Sequence, residues 1–175
     1  MKHTHKEVKK IFRIAILSDT HMPMRAKNLP DELIEELKKV DLILHAGDFV
    51  SKETYEKLNS MGIKMEGVCG NMDEPALCKI LPEHKIIEIE GRRIALTHGS
   101  GSPFNLPISL LKKYSGEKID CLVFGHTHKP YNKVLNGILC FNPGSPTDRV
   151  FSIYRTYGLL EIYPTGIKGM IKQLA

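Results

Sequence analysis

The chain has 175 residues, 42% apolar and 26% charged, with a formal charge of +5. That length suits one domain able to bury roughly 70% of its unfolded surface, and the composition excludes wholesale disorder. No apolar run approaches the ~18 residues of a membrane span, and the lysines and arginines are scattered among acids, so neither a membrane nor a dedicated nucleic-acid partner is expected.

Residues 1–10 read as a polar tail carrying His3 and His5, and residues 11–175 as a single domain. The apolar stretch after the tail is interrupted by Arg13 and lacks a small-residue cleavage site, so it reads as a first strand, Phe12–Leu17, and not as a signal peptide. Pro30 then opens a helix, DELIEELKKV, with acids first and lysines last, as the helix dipole favours. Leu42–Leu44 is a second strand. Ser51 caps a helix ended by Gly62, and Lys64–Cys69 is a third strand. This βαβαβ order implies parallel strands. The pattern then shifts to hairpins. Lys85–Glu90 and Arg92–Thr97 flank Gly91, a helix covers roughly Pro107–Tyr114, and Asp120–Phe124 is a strand. Tyr131–Leu135 and Ile138–Phe141 flank Asn136-Gly137, a strong hairpin signal. The tail from Phe151 to Leu174 predicts two or three strands, turning at Pro164-Thr165-Gly166. Two packed mixed sheets with helices outside fit this α/β order better than one doubly wound sheet. Four cysteines, at 69, 78, 121 and 140, form no C-x-x-C pair, and reduced thiols in a cytoplasmic protein are expected.

Five strand-like runs each end in a side chain able to hold a metal: Asp19 and His21, Asp48, Asn71, His98, then His126 and His128. In α/β sheets functional groups gather beyond the carboxyl ends of strands. In extended backbone, residues i and i+2 project to one side, so Asp19 with His21, and His126 with His128, are expected to aim at a common point. Gly47, Gly70 and Gly125 each precede one of these residues and permit a sharp turn or close approach. Two carboxylates, one carboxamide and four imidazoles, without thiolate, suit Mn, Fe, Zn, Co or Ni better than Mg or Ca. Seven donors are too many for one such ion with open positions. They suit two ions, which generate hydroxide near neutral pH and stabilise an in-line displacement at phosphorus.

DTH, GD, GN, a separate His and GHTH, in this order from Asp19 to His128, resemble the calcineurin-like metallophosphoesterase superfamily. The small size, GNMD in place of GNHD, and FNPGSPTDR resemble its compact bacterial and archaeal phosphodiesterase branch. The resemblance implies a four-layer αββα sandwich. It implies that Asp19, His21 and His128 hold one metal, that Asn71, His98 and His126 hold the other, and that Asp48 bridges them. It makes Asp48, Asn71 and His98 the residues of catalysis, and leaves the Asn71 NH₂ to orient a phosphate oxygen. The implied function is hydrolysis of a small phosphodiester by a hydroxide bridging two divalent ions, Mn first with Ni, Fe, Co or Zn as alternatives. Relatives suggest a homodimer. The alternatives are a phosphomonoesterase and a protein-interaction scaffold, the role of a retromer subunit with this fold. A scaffold has no need of all seven donors. Many relatives place a proton-donating His directly after the GN asparagine; Met72 stands there and cannot transfer a proton.

Other residues have plainer readings. His45 reads as a core or supporting histidine in preference to a ligand, and His84 as a surface residue. Met72 fills space at the cavity wall. Asp73 either caps the turn after Asn71 or orients a neighbouring ligand. Arg149 either binds phosphate or pairs with an acid.

Overall fold

The computed structural model describes residues 11–175, so the expected polar tail with His3 and His5 lies outside the described residues. In chain order the elements are β1 (Phe12–Leu17), α1 (Asp31–Leu37), β2 (Leu42–His45), α2 (Lys52–Asn59), β3 (Met65–Gly67), α3 (Pro75–Cys78), β4 (His84–Ile89), β5 (Arg92–Thr97), α4 (Leu106–Lys113), β6 (Cys121–Val123), β7 (Tyr131–Leu135), β8 (Ile138–Asn142), β9 (Thr156–Tyr163) and β10 (Gly166–Gln173). α1 stops at Leu37, before its lysines, and Lys38 and Lys39 reach back to Glu35 and Glu36. α2 begins as expected, with the Ser51 hydroxyl accepting the Thr54 N–H at 3.1 Å.

The strands form two five-stranded mixed sheets, ordered β10-β9-β1-β2-β3 and β4-β5-β6-β8-β7. β1, β2 and β3 are parallel, as are β5, β6 and β8, while β9 returns antiparallel to β1 and β7 antiparallel to β8. The near-continuous apolar run of β1 follows from its place between two cores. Ile14 and Ile16 face the other sheet and join Leu44, Leu96, Val123 and Phe141. Ala15 and Leu17 face outward and join Leu33 and Leu37 of α1 and Leu58 of α2. On the far side, Leu106 and Leu110 of α4 cover Ala95, Leu122 and Phe124. The layers are therefore helix, sheet, sheet and helix, the expected sandwich. Each such buried side chain contributes ~1.5–3 kcal/mol relative to exposure.

The tail forms two strands, β9 and β10, within the two or three expected, paired along their whole length. Two local features differ from the sequence reading. The short α3 was not anticipated, its four residues being too few for a helical period to show. Cys69 and Cys78 are joined as a disulfide, against the expectation of reduced thiols; α3 brings their Cα atoms to 5.2 Å, within bridging range. Cys121 and Cys140 are free and buried, where cysteine packs as a small hydrophobe. No helix among the described residues is long and apolar enough to cross a membrane.

Candidate metal centre

The loops after β1, β2, β3, β5 and β6 meet at one rim. Backbone bonds knit them together: Asp19 N–H donates to Gly47 O at 3.0 Å, His21 N–H to Asp48 O at 3.0 Å, and Gly125 N–H to His98 O at 3.1 Å. All seven candidate residues converge there. Asp19, His21, Asp48 and His128 offer donor atoms that lie within 4.8 Å of one another. His21 Nε2 is 3.2 Å from His128 Nε2 and 3.4 Å from Asp48 Oδ2, and His128 Nε2 is 3.4 Å from Asp19 Oδ1. The other half adjoins it. His98 Nε2 is 3.3 Å from Asp48 Oδ2 and 3.0 Å from Asn71 Oδ1, and His126 Nδ1 is 3.0 Å from the same Asn71 oxygen. One oxygen of Asp48 thus faces both halves.

The donor set fits divalent ions. The second ring nitrogen of three imidazoles already has a partner that can only accept: Ala46 O for His98 Nδ1 at 2.7 Å, Gly101 O for His126 Nε2 at 2.9 Å, and the Asp148 carboxylate for His128 Nδ1. Those nitrogens therefore carry the hydrogen, and the other nitrogen of each neutral ring turns a lone pair toward the cluster. Lone pairs of carboxylates, a carboxamide and imidazoles then crowd together, an arrangement that a cation satisfies. Without one, protons balance the charge. Burial opposes a charge on His98, but its hydrogen bond to Asp48 and the Asp19 carboxylate outweigh burial and raise it to about 9. Burial also opposes the Asp48 charge, yet His98 holds that carboxyl below its ordinary value. Burial pushes Asp19 up and His21 down. A metal binding here displaces protons.

A family model described as the calcineurin-like phosphoesterase superfamily domain matches residues 12–164. The chain belongs to the calcineurin-like phosphoesterase superfamily. A probable metallophosphoesterase of Methanothermobacter thermautotrophicus is 38% identical over 136 residues, 77% of each chain. A Thermotoga maritima protein solved by solution NMR has a TM-score of 0.73 at 36% identity, covering 93% of this chain and 99% of that one. Vps29 of Entamoeba histolytica complexed with Zn²⁺ has a TM-score of 0.73 at 26% identity, covering 93% of this chain and 99% of that one.

How this calcineurin-like rim is held differs from the sequence reading in one respect. Asp19, His21, Asp48, His126 and His128 do not extend; their φ angles are 53°, 41°, 60°, 70° and 58°. The i, i+2 pairs converge through left-handed turns, not strand alternation, and such non-glycine residues cost on the order of 1–3 kcal/mol each. The glycines permit close approach. A Cβ on Gly125 would lie 1.9 Å from Ser18 Oγ, and one on Gly70 would lie 2.2 Å from Asp48 Oδ1. His45 is a supporting residue, as read. It accepts the Gly47 N–H on Nδ1 at 3.1 Å, bonds Thr20 Oγ1 through Nε2 at 3.1 Å, and stacks on Phe49. Burial holds it down to about 3, so it stays neutral. His84 is exposed, also as read. Asp73 ties the GD and GN loops together, accepting N–H groups from Gly70 at 2.7 Å, Asp48 at 3.1 Å and Val50 at 2.6 Å. Met72 is 48% exposed and does not fill the cavity wall. Arg149 is exposed and, among the described residues, pairs with no acid.

The residue that sequence reasoning missed is Asp148, directly before Arg149. It is fully buried, accepts the Val150 N–H at 2.7 Å, and holds His128. Burial opposes its charge, but these hydrogen bonds keep its carboxyl low. Its signal lay in FNPGSPTDR, beside Arg149. Asp148→Asn removes the charge that fixes the His128 ring, and a ~10–100-fold loss of divalent-metal affinity is expected. Metal titration of the variant checks this; wild-type affinity would remove Asp148 from the site.

Proposed function

We propose that the chain is a phosphodiesterase that uses two divalent ions, Mn²⁺ first among the first-row metals, to hydrolyse a small phosphodiester. The convergence of all seven donors, with three imidazoles oriented by acceptors behind them, carries this reading. Asp19, His21 and His128 hold one ion, Asn71, His98 and His126 the other, and Asp48 is shared. Bound ions supply an acidified water and neutralise charge on the phosphoryl oxygens. The protein contributes orientation. Ala46 O sets the His98 ring, and the Asn71 NH₂, which has no partner among the described residues, faces an incoming phosphate oxygen.

The test is a panel of monoesters and diesters assayed with Mn²⁺, Fe²⁺, Co²⁺, Ni²⁺ and Zn²⁺. Diester turnover above monoester turnover supports the reading. Preference for monoesters makes the protein a phosphomonoesterase. No turnover with any ion favours a scaffold, the second reading, which the likeness to Vps29 supports.

Met72 shapes the leaving-group preference. A positioned general acid is typically worth ~10²–10⁴-fold, and methionine donates no proton. Diesters with good leaving groups, such as nitrophenolate, are expected to react fast, and alkyl leaving groups slowly. A series of aryl diesters then shows a steep dependence on leaving-group pKa, and Met72→His flattens it. A flat dependence in the wild-type protein shows an acid already in place, with His98 the next candidate.

A further inference from the structure

One guanidinium at this rim takes no part in the donor set. Arg25 sits in the turn after His21, its backbone N–H donating to His21 O at 2.7 Å. Its head is fixed from two directions. Nε lies 4.0 Å from Asp148 Oδ1, and the guanidinium carbon lies 5.2 Å from the centre of the Phe151 ring. Both neighbours are parts of the wall of the site: Asp148 holds His128, and the Phe151 ring stands edge-on to His128 with centroids 5.7 Å apart. The Arg25 charge also reaches His21, whose pKa it helps to lower.

A structural arginine engages its donors with protein acceptors. Arg25 does not. Its 4.0 Å separation from Asp148 is too long for a hydrogen bond, and among the described residues its two terminal NH₂ groups have no partner. Asp148 and the cation–π contact therefore hold the guanidinium beside the rim and leave its fork open. The side chain is 29% exposed, so the fork is accessible. Among the described residues no other lysine or arginine forms an ion pair with the seven donors or with Asp148. A rigid planar pair of N–H donors matches two oxygens on one phosphorus.

We propose that Arg25 binds the non-bridging oxygens of the substrate's phosphoryl group, held ready for them by Asp148 and Phe151. This rests on the phosphodiesterase reading above. The probe is inorganic phosphate, titrated by calorimetry into Mn²⁺-loaded protein whose metal content is measured by elemental analysis. Arg25→Met keeps an unbranched chain against Phe151 and removes the charge; Arg25→Lys keeps the charge and removes the fork. Phosphate affinity is expected to fall ~10–100-fold in Arg25→Met and less in Arg25→Lys, the scale of hydrogen bonds to a charged group. The KM for bis(4-nitrophenyl) phosphate rises with it, kcat moves less, and Mn²⁺ content stays at the wild-type level. An arginine that only braces the loop would leave phosphate affinity unchanged. Affinity within about twofold of wild type in metal-replete Arg25→Met therefore overturns the proposal. If Arg25→Met loses its metal or its fold, Arg25→Lys decides: a weaker phosphate complex at full Mn²⁺ content supports the proposal, and wild-type affinity overturns it. Failure of the phosphodiesterase reading looks different, since the wild-type protein then turns over no diester with any ion.

Discussion

Asp48→Asn is expected to lower diester turnover by about 10³-fold or more and to cost the protein at least one divalent ion. The reason is positional. Asp48 Oδ2 lies 3.4 Å from His21 Nε2 and 3.3 Å from His98 Nε2, so it faces both halves of the rim and approaches His98 more closely than Asp19 Oδ1 does, at 3.9 Å. Its other oxygen accepts the Met72 N–H at 2.8 Å, which an asparagine oxygen can still do. The substitution keeps shape and that loop contact while removing the negative charge, and it can turn NH₂ hydrogens toward imidazole nitrogens that need a cation. A 10³-fold loss corresponds to ~4 kcal/mol of transition-state stabilisation. That is well beyond the effect expected at Asp148, which reaches the donor cluster only through His128. Turnover within about tenfold of wild type, with two ions retained, would contradict the shared role of Asp48.

Much of the fold was legible because both faces of the central strands are buried. Phe12–Leu17 reads as a buried strand since Ile14 and Ile16 fill one core while Ala15 and Leu17 fill another. The hairpin at Asn136-Gly137 was equally plain, both residues taking the positive φ that such a turn demands. Less legible was where distant pieces pair. That β9 lies against β1, and that β8 reaches β6 with β7 outside it, depends on contacts far apart in sequence that no local pattern encodes.

The site was legible as residue types and positions, but not as backbone. Seven donors could be named because each follows a strand, yet their convergence was attributed to strand alternation when it arises in left-handed turns. Those conformations run against local preference and persist because neighbouring loops hold them, with Asp73 bonded to three backbone N–H groups. Asp148 was missed for a related reason. A carboxylate that orients a histidine 20 residues away has no spacing rule, and only the folded chain puts it beside Nδ1. The Cys69–Cys78 bridge was not legible because compartment says nothing of distance, and the short α3 that carries Cys78 decides it.

Stripping divalent ions with a chelator is expected to abolish hydrolysis, and Mn²⁺ or another first-row ion to restore it. Among the described residues, no protein group at the rim replaces the metal's chemistry. The free cysteines are poor nucleophiles: both are buried, burial drives the Cys121 thiol far up, and it pushes Cys140 up to about 11. The other two cysteines are bonded to each other. Serine or lysine activation needs an adjacent base, and every imidazole among the candidate donors is turned toward the cluster. Chelation should also lower the melting temperature without dissolving the fold. An ion held at ~1,000 times its Kd stabilises by ~4 kcal/mol per site, and that contribution is lost on stripping. The sheets stay because Leu96, Val123 and Phe141 pack between them independently of the rim. Circular dichroism of the stripped protein should therefore keep its strand and helix signal while activity is gone. Full activity in demonstrably metal-free protein would remove the two-ion reading, since among the described residues no other group at the rim is placed to attack phosphorus.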